Sequence, residues 1–256
     1  MVLFSPDDLF LIKGSPNKRR HFLDFILAQI KNDYSYDMDN YVKLLKKRNF
    51  LLKKEQTNSK SFQVLEELFT ESAARVILAR MNFVQNLDEI AAPIFAAINQ
   101  GKEDLKIRYA LSFPIDSGKI NLEMVKQGLR EELGKNRKQE IRRGGTLVGP
   151  HRDNFHIYIG QRLARNFASQ GQQRNLAVSL KLAEIEAFFE VKGFYPLFLL
   201  DEVLAELDNE RRLLLLNYIS QSSFQSFMTT VNLNVEERDG KARVCLVRNG
   251  ALQRRE

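Results

Sequence analysis

The chain has 256 residues, with 39 Lys and Arg against 32 Asp and Glu, for a formal charge of +7. The single cysteine, Cys245, excludes an internal disulfide framework, and with only three histidines beside it no zinc-ligand spacing exists. No apolar run reaches the ~18 residues of a membrane span, the N-terminus lacks the basic stretch of a signal peptide, and the basic excess favours polyanions without choosing among them. These features point to the cytoplasm and to no membrane partner.

Val2 to Phe4 reads as the end of a strand, and Ser5-Pro6-Asp7-Asp8 as a helix start that Gly14 stops. Ser15-Pro16 repeats the start signal, and Phe22, Leu23, Ile26, Leu27 and Ile30 recur at helical spacing. A lysine-rich helix is predicted over residues 34–54, then a polar break at 57–61 and a second long helix over 62–99 that Gly101 closes. Two long helices joined by a short loop predict an antiparallel hairpin, an arm on a core. Leu105, Ile107, Tyr109, Leu111 and Phe113 alternate with polar or small residues, as in a half-buried strand. A charged helix follows over 121–143, a strand around Phe155, Ile157 and Ile159, and a turn at Gly160-Gln161. A helix over 170–192, a buried strand over 197–201, a helix over 209–220 and closing strands at 227–231 and 244–247 complete the reading. The fold class is α/β with a helical insertion.

The apolar run Pro196-Leu-Phe-Leu-Leu ends abruptly in Asp201-Glu202. A strand of this kind delivers carboxylates to the carboxyl edge of a parallel sheet, where ligands bind in open α/β folds. In NTPases such an Asp holds Mg²⁺, and a neighbouring acid orients the attacking water. Acids after a strand also cap the next helix, and that alternative stays open for the isolated pair. Ala205-Glu206-Leu207-Asp208 places a second acid turn just beyond, and Thr229 and Thr230 end the next apolar strand. Upstream, Ser169-Gln-Gly-Gln-Gln-Arg174 sits where a loop becomes a helix. Gly171 lets backbone approach an anion, and Ser169 offers a hydroxyl at a helix N-terminus. No Gly-x-x-x-x-Gly-Lys-Ser/Thr occurs in the 256 residues. Basic segments occur at Lys13 to Arg20, around Lys46, Lys47 and Arg48, and around Arg142 and Arg143. They are built for phosphates rather than base edges. His151, in Gly149-Pro150-His151-Arg152-Asp153, has no nucleophile paired with it in sequence and reads as a hydrogen-bonded turn residue.

Phe4-Ser-Pro-Asp-Asp-Leu9, Lys13-Gly-Ser-Pro16, Leu147-Val-Gly-Pro-His-Arg-Asp153, Ser169-Gln-Gly-Gln-Gln-Arg174 and Leu199-Leu-Asp-Glu202 to Arg212 together resemble the RecF family. These are bacterial DNA replication and repair proteins of the ABC/SMC-like ATPase group. The resemblance covers essentially all 256 positions and is to the C-terminal two-thirds of the family's members. It implies a partial P-loop NTPase-like ABC-ATPase head with a helical arm. Residues 1–33 would be the rest of an N-terminal ATPase lobe and the start of the insertion, 34–101 the arm, 102–145 a strand and helix of the helical lobe, and 146–256 the C-terminal ATPase lobe.

By resemblance, Ser169, Gly171 and Gln172 form the signature loop, which meets the γ-phosphate of ATP held by a second protomer. Asp201 is the Walker B magnesium ligand, Glu202 the water-positioning residue, Glu206 to Asp208 the D-loop, and Thr229/Thr230 the switch. The resemblance further implies ATP and Mg²⁺ as cofactors and slow DNA-stimulated hydrolysis. It implies ATP-dependent dimerisation, as a homodimer or with a complete RecF, on single-stranded, gapped or junction DNA. RecO and RecR are the implied partners in loading RecA after DNA damage, as part of the SOS response. Lys46, Lys47, Arg48, Arg142 and Arg143 are the candidate DNA contacts.

The chain departs from the pattern at Asp7 (usually Glu), Ala205 (usually Ser) and Glu202 (usually Asp). Without the Walker A cradle, these residues alone are expected not to hold ATP tightly. Loss of the neighbouring strands is expected to expose the edge of the 197–200 strand. A non-enzymatic DNA- or RecR/RecO-binding remnant, and an inert product of a broken gene, stay open as alternatives.

Overall fold

In the computed structural model, residues 1–115, 120–231, 243–248 and 251–254 are described. Strand β1 (Val2–Phe4) and a 3-10 turn (Pro6–Leu9) lead to the short helix α1 (Phe10–Lys13). Gly14 ends it by close approach: a Cβ there would lie 2.2 Å from the Phe10 carbonyl oxygen. Helix α2 (Pro16–Ile30) starts on its proline and buries Phe22, Leu23, Ile26, Leu27 and Ile30, the stripe its spacing predicts. Helices α3 (Tyr34–Lys53) and α4 (Lys60–Ile98) follow, the latter capped by Ser59, whose hydroxyl accepts from the Phe62 N–H. The next elements are β2 (Leu105–Ala110), α5 (Leu122–Arg143), β3 (Asn154–Ile159), β4 (Arg162–Leu163), α6 (Ala164–Phe167) and α7 (Gln170–Lys192). Strand β5 (Phe198–Asp201), a 3-10 turn (Val203–Glu206), α8 (Asn209–Gln221), β6 (Ser226–Thr229), β7 (Cys245–Arg248) and β8 (Ala251–Arg254) complete the order.

Two compact units divide the chain, one of Met1–Pro6 with Pro196–Glu256 and one of Asp7–Tyr195. In the larger unit α4 is the central element. It packs against α3, α5, α7 and β2, and its residues from Phe69 to Phe95 lie in the same hydrophobic core as Leu23, Leu129, Phe155 and Leu180. The 34–101 segment therefore shares its core with the segments on either side. Strands β2, β3 and β4 form an antiparallel sheet in that order, with Ile107 opposite Ile157 on the buried face and Arg108 opposite His156 on the other.

In the smaller unit three parallel strands run in the order β1-β5-β6. Strand β5 is thus central, paired with β1 through Val2↔Phe198 and with β6 through Asp201↔Thr229. This corrects the expectation of an exposed edge at 197–200. Both edges of β5 are paired, because β1, almost 200 residues upstream, closes one side. Phe198 and Leu200 are buried, and Phe198 meets Phe224 edge-on at 5.8 Å. The strand expected at 244–247 pairs with β8 in a separate antiparallel hairpin rather than with β6. No helix among the described residues is long and apolar enough to cross a membrane.

Candidate functional site

Asp201 ends β5, and its register partner Thr229 ends β6. The Thr229 hydroxyl donates to Asp201 Oδ1 at 2.7 Å and accepts from the Glu202 N–H at 3.1 Å. One threonine thus ties together three of the residues singled out in the sequence, while the Asp201 and Glu202 side chains stay exposed. Glu202 has φ +53°, left-handed backbone that costs a non-glycine residue roughly 1–2 kcal/mol. Such strain gathers at functional positions. The turn after it is held by buried Val203, Leu204 and Leu207. It contains Glu206 and delivers Asp208 as the N-cap of α8, where Asp208 Oδ1 accepts from the Arg211 N–H at 3.0 Å. Asp208 has the capping role, and Thr230 lies beside Thr229 just past the strand.

Asp201 uses one oxygen on Thr229, which leaves the other open to a cation. No cluster of three or more metal-ligating side chains exists among the described residues. A single carboxylate suits Mg²⁺, which takes one or two carboxylates with water and substrate phosphates for the rest.

In the other unit Ser169 caps α7 in a complete capping box: its Oγ accepts from the Gln172 N–H at 3.2 Å, and Gln172 Oε1 accepts from the Ser169 N–H at 2.9 Å. The Gln172 amide also donates to Glu103 Oε2 at 2.5 Å. The cap uses the Ser169 oxygen only as an acceptor, so its O–H remains a donor. The N–H groups of Gln170 and Gly171 have no partner among the described residues. Three donors at the positive end of a 23-residue helix, beside a glycine, suit a phosphate.

The candidate DNA contacts separate. Lys46, Lys47, Arg142 and Arg143 are exposed. Lys46 and Lys47 line a shallow hollow with Phe50, Leu51 and Leu65. Arg48 is a correction: it is fully buried, ion-paired to Glu140 at 2.6 Å and Glu66 at 2.9 Å, and donates to Thr146 Oγ1 at 2.7 Å. It cannot reach a phosphate.

The segment 146–153 is a hub that sequence reasoning saw only as a motif. Thr146 binds Arg48 and Asn49 of α3, and the Leu147 N–H binds Glu140 of α5. The Pro150 carbonyl accepts from Arg80 of α4 at 2.7 Å, and Arg80 also holds Asp24 of α2 with two nitrogens. Asp153 accepts from Tyr109 and from the Ser112 N–H, and burial raises its pKa.

His151 Nε2 must carry the proton it donates to the Thr146 carbonyl at 3.0 Å, so Nδ1 accepts from the Tyr41 hydroxyl at 2.5 Å. Burial, and after it the charge of Arg152, lowers its pKa to about 4. This is a structural histidine. Its folded pKa lies below the unfolded value, so acid protonates the unfolded chain first. Stability is therefore expected to fall as pH drops from about 6.5 towards 4, by up to about 3 kcal/mol. Urea melts at a series of pH values should show a steeper acid loss for the wild-type chain than for His151→Gln. Equal slopes would contradict this assignment.

No protein-family profile matches the chain. Among curated proteins, the DNA replication and repair protein RecF of Bacillus cereus (strain B4264) is 42% identical over 258 residues, covering 98% of this chain and 68% of that protein. RecF of Enterococcus faecalis (strain ATCC 700802 / V583) is 41% identical over 238 residues, covering 91% of this chain and 63% of that protein. A solved structure of the recombination mediator protein RecF-ATP in the RecFOR pathway superposes with a TM-score of 0.85 at 32% identity, covering all of this chain and 67% of that one. The RecF-ATPrS structure gives 0.84 at 32% identity, covering 99% and 67%. The fold is theirs: an α/β ABC-ATPase head with a helical insertion. The chain belongs to the RecF family of DNA replication and repair proteins.

Proposed function

We propose that this chain supplies the trans-acting half of a RecF nucleotide clamp together with its metal-bearing acids. The capped α7 N-terminus, with three outward donors around Gly171, is the observation that carries the reading. Ser169, Gly171 and Gln172 meet the γ-phosphate of ATP held by a second protomer. Gln172 exchanges its Glu103 contact to do so. Asp201 would hold Mg²⁺, which would supply positive charge against the phosphates. Glu202 orients water, Glu206 and Asp208 form the D-loop against the partner, and Thr229 and Thr230 act as the switch.

The segmentation proposed is 34–101 as arm, 102–145 as strand and helix of the helical lobe, and 146–256 as C-terminal ATPase lobe, with 1–33 leading in. The protein works in the cytoplasm on single-stranded, gapped or junction DNA, with RecO and RecR, to help load RecA. The exposed Lys46, Lys47, Arg142 and Arg143 give DNA a first set of phosphate contacts.

Titration calorimetry of ATP into the 256-residue chain is expected to show no micromolar binding, because no Walker A loop is present in these residues. Addition of a complete RecF with ATP should then yield a heterodimer on sedimentation. Micromolar binding by the chain alone, or no heterodimer, would overturn the reading.

A further inference from the structure

The outer face of the β2-β3-β4 sheet carries aromatic rings and cations together. Arg108 stands opposite His156, and Tyr158 lies two residues further along β3, its ring 6.3 Å from that of His156 and edge-on to it. Helix α6 packs against β3 and adds Arg165 and Phe167, the latter 66% exposed. Arg19 closes the group from α2. It is buried, and its guanidinium is satisfied wholly by neutral oxygens: Asn154 Oδ1 at 2.9 Å and the carbonyls of Leu11, Ile12 and Gly14.

No carboxylate pairs with Arg19, Arg108 or Arg165 among the described residues. The strands carry no acid of their own, and the acids nearby act elsewhere. Asp88 pairs with Lys106 and Glu103 with Gln172, both towards the start of β2, and Asp153 is buried on Tyr109 and Ser112. Burial and the neighbouring Arg165 lower the Arg19 pKa, and burial with Arg19 and Arg165 lowers that of His156. The fold holds like charges together here and leaves the counter-ion to come from outside.

We infer that this face is a binding platform for single-stranded DNA, with Arg108 and Arg165 on successive phosphates and Tyr158 and Phe167 stacking bases. The choice of a single strand follows from the rings. Phosphates alone would serve a duplex, but the half-buried Tyr158 and the exposed Phe167 gain stacking energy only from unpaired bases. An acidic peptide would use the cations and leave the rings idle. The inference rests on the reading of this chain as a DNA-binding protein and adds the surface and the strand type.

The test is fluorescence anisotropy of labelled oligo-dT with the full 256-residue chain. Arg108→Glu/Arg165→Glu is expected to weaken binding by at least about tenfold and to reduce the slope of log K against log salt by about 1.4, two single-strand phosphates at ~0.7 each. Phe167→Ala, at an exposed site that leaves folding intact, should weaken oligo-dT by about fivefold or more and leave a duplex of equal length unchanged, since one stacked base contributes roughly 1–3 kcal/mol. Lys46→Glu/Lys47→Glu, the α3 contacts proposed above, is the comparison: it should weaken oligo-dT and a duplex of equal length alike, these lysines lying on α3 and not on this face.

Full affinity in Arg108→Glu/Arg165→Glu, or loss confined to the α3 variant, would overturn the platform and leave the DNA-binding reading standing. So would equal competition by polyglutamate, or an equal effect of Phe167→Ala on the duplex. Absence of any binding by the unsubstituted chain would overturn both. Photo-cross-linking of bromodeoxyuridine-substituted strands should label the peptide holding Tyr158 or Phe167. Labelling confined to α3 counts against the platform even where a charge-reversed variant fails to fold.

Discussion

Arg48→Ala is expected to destabilise the chain by about 3–5 kcal/mol, the cost of leaving a buried charge unpaired. Glu140 is fully buried and has two calls on its carboxylate: one oxygen takes the Arg48 guanidinium and the other the Leu147 N–H. Remove the arginine and the Glu140 carboxyl loses its ion-pair partner in a buried surround that includes Phe62 and Phe69, whose rings lie 5.8 and 5.3 Å from the guanidinium carbon. Lysine cannot rescue it, because one ammonium cannot span Glu66, Glu140 and Thr146 in the plane that the fork does. At about 2–4 °C per kcal/mol for a chain of this size, the melting temperature should drop by roughly 10 °C. Arg48→Met/Glu140→Leu should recover a large part of the loss, since it removes both charges and keeps the volume. A melt of Arg48→Ala within about 1 kcal/mol of wild type would show that the cluster is not holding α3 to α5.

Ser169→Asp is expected to abolish ATP-driven capture of this chain by a complete RecF, a loss of about a hundredfold or more. Aspartate caps a helix as well as serine does, so α7 should keep its start and the melt should move by less than about 0.5 kcal/mol. The new carboxylate would face the phosphate that the O–H is proposed to meet, and like charges in contact cost several kcal/mol. Folding and clamp closure are thereby separated in one substitution. Sedimentation velocity with a non-hydrolysable ATP analogue reads the outcome. Undiminished heterodimer with Ser169→Asp would remove the signature role from this loop.

The helices were legible in the sequence because each buries one face. The stripe of α2 and the polar break at 57–61 ahead of α4 are local signals, and local signals survive into the fold. Arg48 was misread from its neighbours. Lys46-Lys47-Arg48 looks like one basic patch, but successive helical residues turn by about 100°, and position 48 falls on the stripe of buried Tyr41 and Leu52. The same stripe logic marks Arg80, which interrupts the apolar run from Val76 to Ala79. The central place of β5 was not legible, since its pairing with Val2–Phe4 joins residues at opposite ends of the chain and no short-range pattern encodes that. The strand-end acids were found from the abrupt end of an apolar run. Their coupling through Thr229 depends on register, which only the pairing of β5 with β6 fixes.

The left-handed backbone at Glu202 decides which replacements report on its carboxylate. Glutamine keeps the side-chain length and inherits the same backbone penalty, so any change in the activity proposed for the clamp formed with a complete RecF would belong to the lost charge. Valine or isoleucine, branched at Cβ, would be driven out of that region of φ and would tilt the end of β5, so an inactive variant would say nothing about the role proposed for the carboxylate. Glycine would relax the turn and leave it too pliable. A mutational scan of this position would therefore rank residues by conformational tolerance first and by chemistry second, and only the glutamine result should be read as mechanism.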